Sequence, residues 1–404
     1  MNDYTSVTQW MFQRFPMYQN KGEKAYKPGL KKMEEVLMHL NSPQRQFPTL
    51  HIAGTNGKGS TAHAIAAVLQ TAGYRVGLYT SPHLKDFSER IKVNGQAIPQ
   101  ESVIGFIHQN KTYFESETLS FFEMTVALAF DYFAQQKVDI GIIEVGLGGR
   151  LDATNVIIPE LSVITNIGMD HTQFLGTSLS AIAGEKAGII KNKVPVIVGQ
   201  TQDEIKNVFV EKAKACSAPI AFADEHGVRS FSSDLHGKYQ RYNLNTAYSA
   251  LMSLKNFPVT ESDVKEGFLN VQSRTNFLGR WQELSTNPLT IADVTHNLEG
   301  FQEVIPQLKE TAKSNIHFVL GFVQDKAVEE IFALLPKEAR YYFCKAQNDR
   351  AMTLEKLTNL AQKNSLQFSC FEEVEQAFHQ AKNTAHTTDT IYIGGSTFVV
   401  AEIL

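Results

Sequence analysis

Apolar residues along this chain follow two rhythms. Short, continuous runs of aliphatic and β-branched residues alternate with longer stretches in which apolar positions recur every three or four residues. "PTLHIAG", "YRVGLYTS", "VDIGIIEVG", "ELSVITNIG" and "VPVIVG" are runs of the first kind and predict strands buried on both faces. "STAHAIAAVLQTAG", "LSFFEMTVALAFDYFAQQ" and "SLSAIAGEKAGII" predict the helices between them. Upstream, "KPGLKKMEEVLMHLNSP" sets Leu30, Met33, Val36, Leu37 and Leu40 at helical spacing, and the first fifty residues read as helical. Strand–helix alternation of this kind predicts an α/β domain around a mostly parallel sheet.

A second alternating set begins near residue 289. "LTIADV", "IHFVLGFV", "ARYYFCKA" and "TIYIGGS" predict strands. "NLEGFQEVIPQLKETA", "AVEEIFALL", "TLEKLTNLAQKN" and "EEVEQAFHQAKN" predict helices. The polar, proline-containing stretch "QELSTNPLT" lies between the sets. It suggests two domains, 1–283 and 288–404. The first is a P-loop-type α/β domain with a mostly parallel sheet. The second is a smaller Rossmann-like α/β domain.

Composition narrows the class. A length of 404 residues fits two domains, and 43% hydrophobic with 20% charged residues is ordinary for a globular protein. A net charge of -4 argues against a basic surface that coats nucleic acid. The three cysteines, Cys216, Cys344 and Cys370, are dispersed and form no CxxC, which points to the cytosol. No apolar run reaches membrane-spanning length, and the N-terminus lacks the pattern of a signal peptide. The expectation is a cytoplasmic protein with neither a membrane nor a nucleic-acid partner.

The chemistry begins at "HIAGTNGKGST". A glycine loop between a strand and a helix offers backbone N–H groups to an anion, and Lys58 adds a point charge. The usual phosphate loop has glycine five residues before its lysine and Ser or Thr after it. Here those positions are Ala53 and Gly59. Glu144 ends the strand "VDIGIIEVG" at the carboxyl edge, where open α/β sheets bind ligands, and can hold Mg²⁺ or face solvent. Asp170 and His171 follow the next strand at that edge, where His171 suits a metal, a nucleotide or a plain hydrogen bond. Lys186 lies in a predicted helix, where a lysine is usually solvated, although its neighbours are small and apolar. "DVTHN", Asp293 to Asn297, is a polar cluster at a strand end of the second set. Arg280 precedes it at the expected junction and suits either a phosphate clamp or an interdomain salt bridge.

Taken in order, "HIAGTNGKGS", "GLYTSPHL", "SER", "FFEMTVALAF", "IIEVGLGGRLDATN", "MDHTQFLG" and "EKAGIIK" resemble the folylpolyglutamate synthase/dihydrofolate synthase family of the Mur ligase superfamily. The resemblance runs from about residue 20 to residue 300 and more thinly beyond. It implies an ATP-dependent amide ligase that phosphorylates a pterin-bearing carboxylate and joins it to L-glutamate. Its substrates would be dihydropteroate, a reduced folate, or both. It further implies that domain 1–283 carries the ATP, magnesium and pterin sites and that domain 288–404 serves glutamate ligation.

Residue by residue, the resemblance assigns ATP binding to Gly54, Thr55, Asn56, Gly57, Lys58, Gly59, Ser60, Thr61, Asn243, Arg280 and Asp293. It makes Ser81, Glu144 and His171 magnesium ligands, and Lys186 a carbamate, formed with CO2, that supports a second Mg²⁺. Asp293 and His296 join Lys58 and Lys186 among the catalytic residues. Phe121, Phe122, Glu123 and Asp152 would line the pterin, with Ser396 near the reacting groups or glutamate. A monomer is expected.

The chain departs from the family pattern in places. "DVTHNL" stands for the usual "DGAHNP", and Tyr239 replaces a histidine in the adenine-side segment that keeps Gln240 and Asn243. A Mur-type ligase on another carboxylate, a P-loop small-molecule kinase and a non-catalytic nucleotide binder are the alternatives. Only about fifty residues precede the loop, which disfavours a UDP-sugar substrate.

Overall fold

The computed structural model describes residues 3–14, 29–117, 119–324 and 328–404. The helical expectation for residues 15–28, and the start of "AVEEIFALL" at Ala327, lie outside the described residues. The chain divides into two compact units. One comprises Met1–Asp234 and Gln240–Asn276, the other Leu235–Tyr239 and Phe277–Leu404.

The first unit is built on an eight-stranded sheet among the described residues, in the order β4-β3-β2-β5-β1-β6-β7-β8. The strands are β1 (Thr49–Ala53), β2 (Val76–Tyr79), β3 (Ile91–Val93), β4 (Gln96–Ala97), β5 (Ile140–Glu144), β6 (Leu161–Ile164), β7 (Val196–Val198) and β8 (Ile220–Phe222). All pairings from β2 to β8 are parallel, while β3 and β4 add an antiparallel edge. Every residue of β1, β5 and β6 is buried, as their unbroken apolar runs predict. The helix Lys58–Thr71 is buried from Ser60 to Leu69, which its small alanines permit.

Register places the functional ends together. Ile52 pairs with Glu144, Ala53 with Ile164, and Tyr79 with Ile143. The segments after β1, β2, β5 and β6 therefore all leave one edge of the sheet, with β1 central between β5 and β6. That is the switch-point arrangement at which open α/β sheets hold ligands.

The second unit carries six strands among the described residues, in the order β13-β12-β11-β14-β10-β9. They are β9 (Gln282–Thr286), β10 (Leu289–Ala292), β11 (Ile316–Leu320), β12 (Arg340–Cys344), β13 (Gln367–Phe371) and β14 (Thr390–Gly394). All run parallel except β9, which pairs antiparallel with β10. The stretch "QELSTNPLT" is thus β9 and the turn into β10, and the division between units falls upstream, after Asn276. β9 escapes sequence reading because an edge strand needs no apolar face, and its residues are half-buried or exposed. β13, on the other edge, escapes for the same reason.

Candidate active site

The loop after β1 is fixed by contacts that sequence spacing does not reveal. Thr55 N donates to the Asn166 carbonyl at 2.8 Å, and Asn56 N donates to Asn166 Oδ1 at 2.9 Å. The Thr165 hydroxyl donates to the Asn56 carbonyl at 2.6 Å. Thr55 Oγ1 accepts from Gly168 N at 2.9 Å, joining the loop to the segment that leads to His171. Thr165 and Asn166 were not anticipated as part of the site; their only signal is a polar pair ending an apolar strand.

Two glycines are required here. Gly54 has φ +150°, and a Cβ on it would lie 1.8 Å from Thr165 Oγ1. Gly57, at φ +82°, begins the helix Lys58–Thr71, and its Cβ would lie 2.0 Å from Asn243 Oδ1. Asn243 is itself held by a bond from its Nδ2 to Gln240 Oε1 at 2.8 Å. The structure thus brings Asn243 to the loop. Ser60 and Thr61 are buried in the helix's first turn, next to Gly59.

Two lysines meet at this loop. Lys58 Nζ donates to the Gly54 and Thr55 carbonyls at 3.1 and 3.2 Å. Lys186, on the helix Leu179–Ala187, is buried and donates from Nζ to the same Gly54 carbonyl at 2.9 Å. Burial, and then the nearby Lys58 charge, push the Lys186 amine down to about 7. The residue out of place in the sequence is therefore an amine that is partly neutral near physiological pH.

Glu144 is buried at the end of β5 and accepts from Ser81 N at 3.0 Å. Carboxylate and serine are therefore neighbours. His171 has φ +52° and precedes the short helix Thr172–Leu175. Its backbone N–H donates to Asp170 Oδ1 at 2.8 Å. Among the described residues no three His, Cys, Asp or Glu side chains gather as a metal cage. A serine beside a carboxylate fits Mg²⁺, which keeps waters and takes phosphate oxygens among its ligands, while the backbone bond of His171 goes to Asp170 and not to that pair.

Arg90 is also buried. Its Nε donates to His83 Nδ1 at 2.7 Å, and its charge acts on Tyr79 and Glu144. Its guanidinium lies 5.4 Å from the Phe121 ring centroid.

The expected pterin residues divide between roles. Phe121 is buried against Phe12 and Phe87, with ring centroids 5.3 and 5.8 Å away. Glu123 closes a capping box on the helix Phe121–Gln135, accepting from Ser120 N at 2.6 Å. Phe122 is half-buried and packs over Gly146, where an added Cβ would meet its ring at 2.3 Å. Asp152 accepts from Leu147 N at 2.8 Å, Thr154 N at 3.0 Å and Thr154 Oγ1 at 2.5 Å. Burial raises its carboxyl against the lowering effect of those bonds. The Thr154 hydroxyl is committed as a donor to Asp152, so it accepts from His51 Nε2 at 2.8 Å.

In the second unit, the ends of β10, β11 and β14 converge. Gly395 N donates to the Thr295 carbonyl at 3.1 Å, and Gly321 N to the Gly394 carbonyl at 3.3 Å. Asp293 is buried at the end of β10. His296 is half-buried with Nδ1 2.9 Å from the Val294 carbonyl. Ser396 caps the helix Thr397–Ile403 by accepting from Val399 N at 3.2 Å. Arg280 lies 5.2 Å from the Phe277 ring centroid and donates to the Gly279 carbonyl at 3.2 Å.

A phosphate loop at a switch point, followed by a second parallel α/β unit, defines a Mur-type ligase. Residues 52–259 match the Mur ligase middle domain, and residues 279–397 match the Mur ligase glutamate ligase domain. A dihydrofolate synthase/folylpolyglutamate synthase of Bacillus subtilis is 31% identical over 93% of this chain and 94% of its own length. A longer relative in Haloferax volcanii is 31% identical over 93% of this chain, which spans 48% of that relative's length. The structure of Escherichia coli FolC in complex with DHPP and ADP is 29% identical, with a TM-score of 0.87 over 100% of this chain and 97% of that one. A bifunctional folylpolyglutamate synthase/dihydrofolate synthase with Mn, AMPPNP and L-glutamate bound is 27% identical, with a TM-score of 0.86 over 100% and 97%. The chain belongs to the folylpolyglutamate synthase/dihydrofolate synthase family. Among the described residues no helix is long and apolar enough to cross a membrane.

Proposed function

We propose that this chain is an ATP-dependent ligase that joins L-glutamate to dihydropteroate and to reduced folates. The observation that carries the reading is the loop Gly54–Lys58, with Lys58 and the buried Lys186 both bonded to Gly54 O. A carboxylate oxygen is a poor leaving group. The substrate carboxylate therefore attacks the γ-phosphorus of ATP, and ADP leaves. The glutamate amine then attacks the acyl carbon, phosphate departs, and the amine's proton is lost as the amide forms.

In this reaction the loop from Gly54 to Thr61 cradles the phosphates, with backbone N–H groups and the Lys58 ammonium countering their charge. Asn243 supports the adenine side. Ser81, Glu144 and His171 would hold Mg²⁺, and a second ion belongs with Lys186. Bound there, magnesium supplies positive charge that stabilises the phosphoryl group in transfer.

Lys186 is proposed to react with CO2. Its neutral amine adds to the carbon to give N–COO⁻ and releases one proton. The low basicity of this buried amine supports the step, because only the neutral form is nucleophilic. Phe122 and Asp152 serve the pterin; Phe121 and Glu123 back them. Arg280, His296 and Ser396 of the second unit serve ATP and glutamate, and Asp293 supports them. The enzyme is a cytoplasmic monomer in this reading, and its three free cysteines agree with a reducing compartment.

The test measures ADP and phosphate release with Mg²⁺, ATP and glutamate, in the presence of dihydropteroate, tetrahydrofolate or no pterin. Release that needs both pterin and glutamate is the expected result. Release indifferent to both would sink the ligase reading.

A further inference from the structure

Asp293 was expected to touch ATP, yet its carboxylate is already occupied. Oδ2 accepts from the Tyr239 hydroxyl at 2.6 Å and from Trp281 N at 2.7 Å. Oδ1 accepts from Thr295 N at 2.9 Å and Thr295 Oγ1 at 2.5 Å. A carboxylate offers about four acceptor positions, so these bonds account for all of them. Asp293 is 1% exposed. A group so buried and so saturated holds other parts in place.

What it holds is the backbone on either side of Arg280. Trp281 N donates to the Asp293 side chain, and Val294 N donates to the Gly279 carbonyl at 3.0 Å. Arg280 sits between these two anchors. Trp281 has φ +46°, an uncommon left-handed value for an aromatic residue, and the bond to Asp293 stabilises that turn. Among the described residues the one hydrogen bond of the Arg280 side chain goes to Gly279 O. About four of its five N–H donors remain for an anionic ligand.

Tyr239 completes the arrangement from a distant segment. Leu235–Tyr239 belongs to the same compact unit as Phe277–Leu404. The Gln307 amide pins that segment, taking Lys238 N on Oε1 at 2.6 Å and donating to the His236 carbonyl at 2.9 Å. Lys238 also pairs with Glu310. Burial and the adjacent Asp293 push the Tyr239 phenol far above its ordinary range, so its hydroxyl stays a donor. The Arg280 charge opposes that rise but does not outweigh it.

We infer that Tyr239 is a positioning residue for nucleotide binding. Its hydroxyl fixes the Asp293 carboxylate, which fixes the Gly279–Trp281 turn and so orients Arg280, the residue that the family resemblance assigns to ATP. Tyr239 stands where the resembled family has histidine, so this is a device of the chain itself. The inference rests on the ligase reading for the identity of the nucleotide and for the assignment of Arg280 to it.

The experiment compares wild type with Tyr239→Phe, which removes one oxygen and keeps the ring. KM for ATP rises roughly tenfold, as expected for losing a hydrogen bond to a charged group, while kcat and the KM values for pterin and glutamate stay within about twofold. Thr295→Val removes a donor from the other carboxylate oxygen and raises KM for ATP about threefold. Calorimetric titration with ADP gives the same ranking without turnover. An ATP KM and an ADP affinity within twofold of wild type in Tyr239→Phe would overturn the inference. Equal rises in all three KM values would overturn it too, by marking a general loss of structure. A wild type that binds ADP but shows no glutamate-dependent turnover would refute the ligase reading, while the ADP titrations would still decide the role of Tyr239.

Discussion

Lys58 and Lys186 donate to a single oxygen, the carbonyl of Gly54, at 3.1 and 2.9 Å. Burial first, and then the nearby Lys58 charge, push the Lys186 amine down to about 7. The helix lysine keeps a reactive lone pair.

A carbamate on Lys186 predicts dependence on CO2. Labelled ¹³CO2 gives a carbamate resonance in wild type and none in Lys186→Ala. Acetate or formate restores part of the activity of Lys186→Ala by returning a carboxylate to the cavity. Equal activity of that variant with and without those anions would count against the role.

The same amine predicts a pH dependence of stability in CO2-free buffer. Its folded-state value, about 7, lies below that of an unfolded lysine, so the unfolded chain binds more protons between those values. Wild type therefore gains stability as pH rises from about 7 toward 10. Lys186→Met should melt higher than wild type by a constant margin below about pH 7, and the margin should shrink as pH rises further. A margin that does not change between pH 6 and pH 10 would refute the shift.

Gly57 separates backbone strain from site damage. An alanine there takes a left-handed conformation and drives its Cβ into Asn243 Oδ1. Gly57→Ala should lose at least about tenfold in kcat/KM for ATP. Gly73 is the control: it also has positive φ, +92°, but a Cβ meets nothing within 4 Å. Gly73→Ala should lower the melting temperature and leave KM for ATP unchanged. Equal kinetic losses in the two variants would mean that Asn243 is not what the loop glycine protects.

Legibility in the sequence followed burial. β1, β5 and β6 announce themselves because strands covered on both faces must be continuously apolar. The edge strand β9 is polar, and its sequence reads as a link. Glu144, Ser81 and Lys58 could be placed by element ends and resemblance. The contacts that position them could not. Thr165 reaches Asn56 across 109 residues and Tyr239 reaches Asp293 across 54, and no local pattern encodes such pairs. Phe121 and Glu123 show the converse. An aromatic pair followed by an acid suits a flat heterocycle, but the same residues also serve a helix start, where Glu123 caps and Phe121 packs.

The altered loop yields the last prediction. With Gly59 after the lysine, the hydroxyls of Ser60 and Thr61 move one position along the helix, where both are buried. Ser81, just past the end of β2, is half-buried and bonded to Glu144 through its backbone N–H. That bond leaves the Ser81 hydroxyl available beside the carboxylate. Ser81→Ala should raise the half-saturating Mg²⁺ concentration about tenfold, whereas Ser60→Ala should change it by less than about threefold. Titration of Mn²⁺ by electron paramagnetic resonance, with a non-hydrolysable ATP analogue present, should show the same ranking without turnover. The reverse ranking would return the metal to the loop hydroxyl and remove Ser81 from the ligand set.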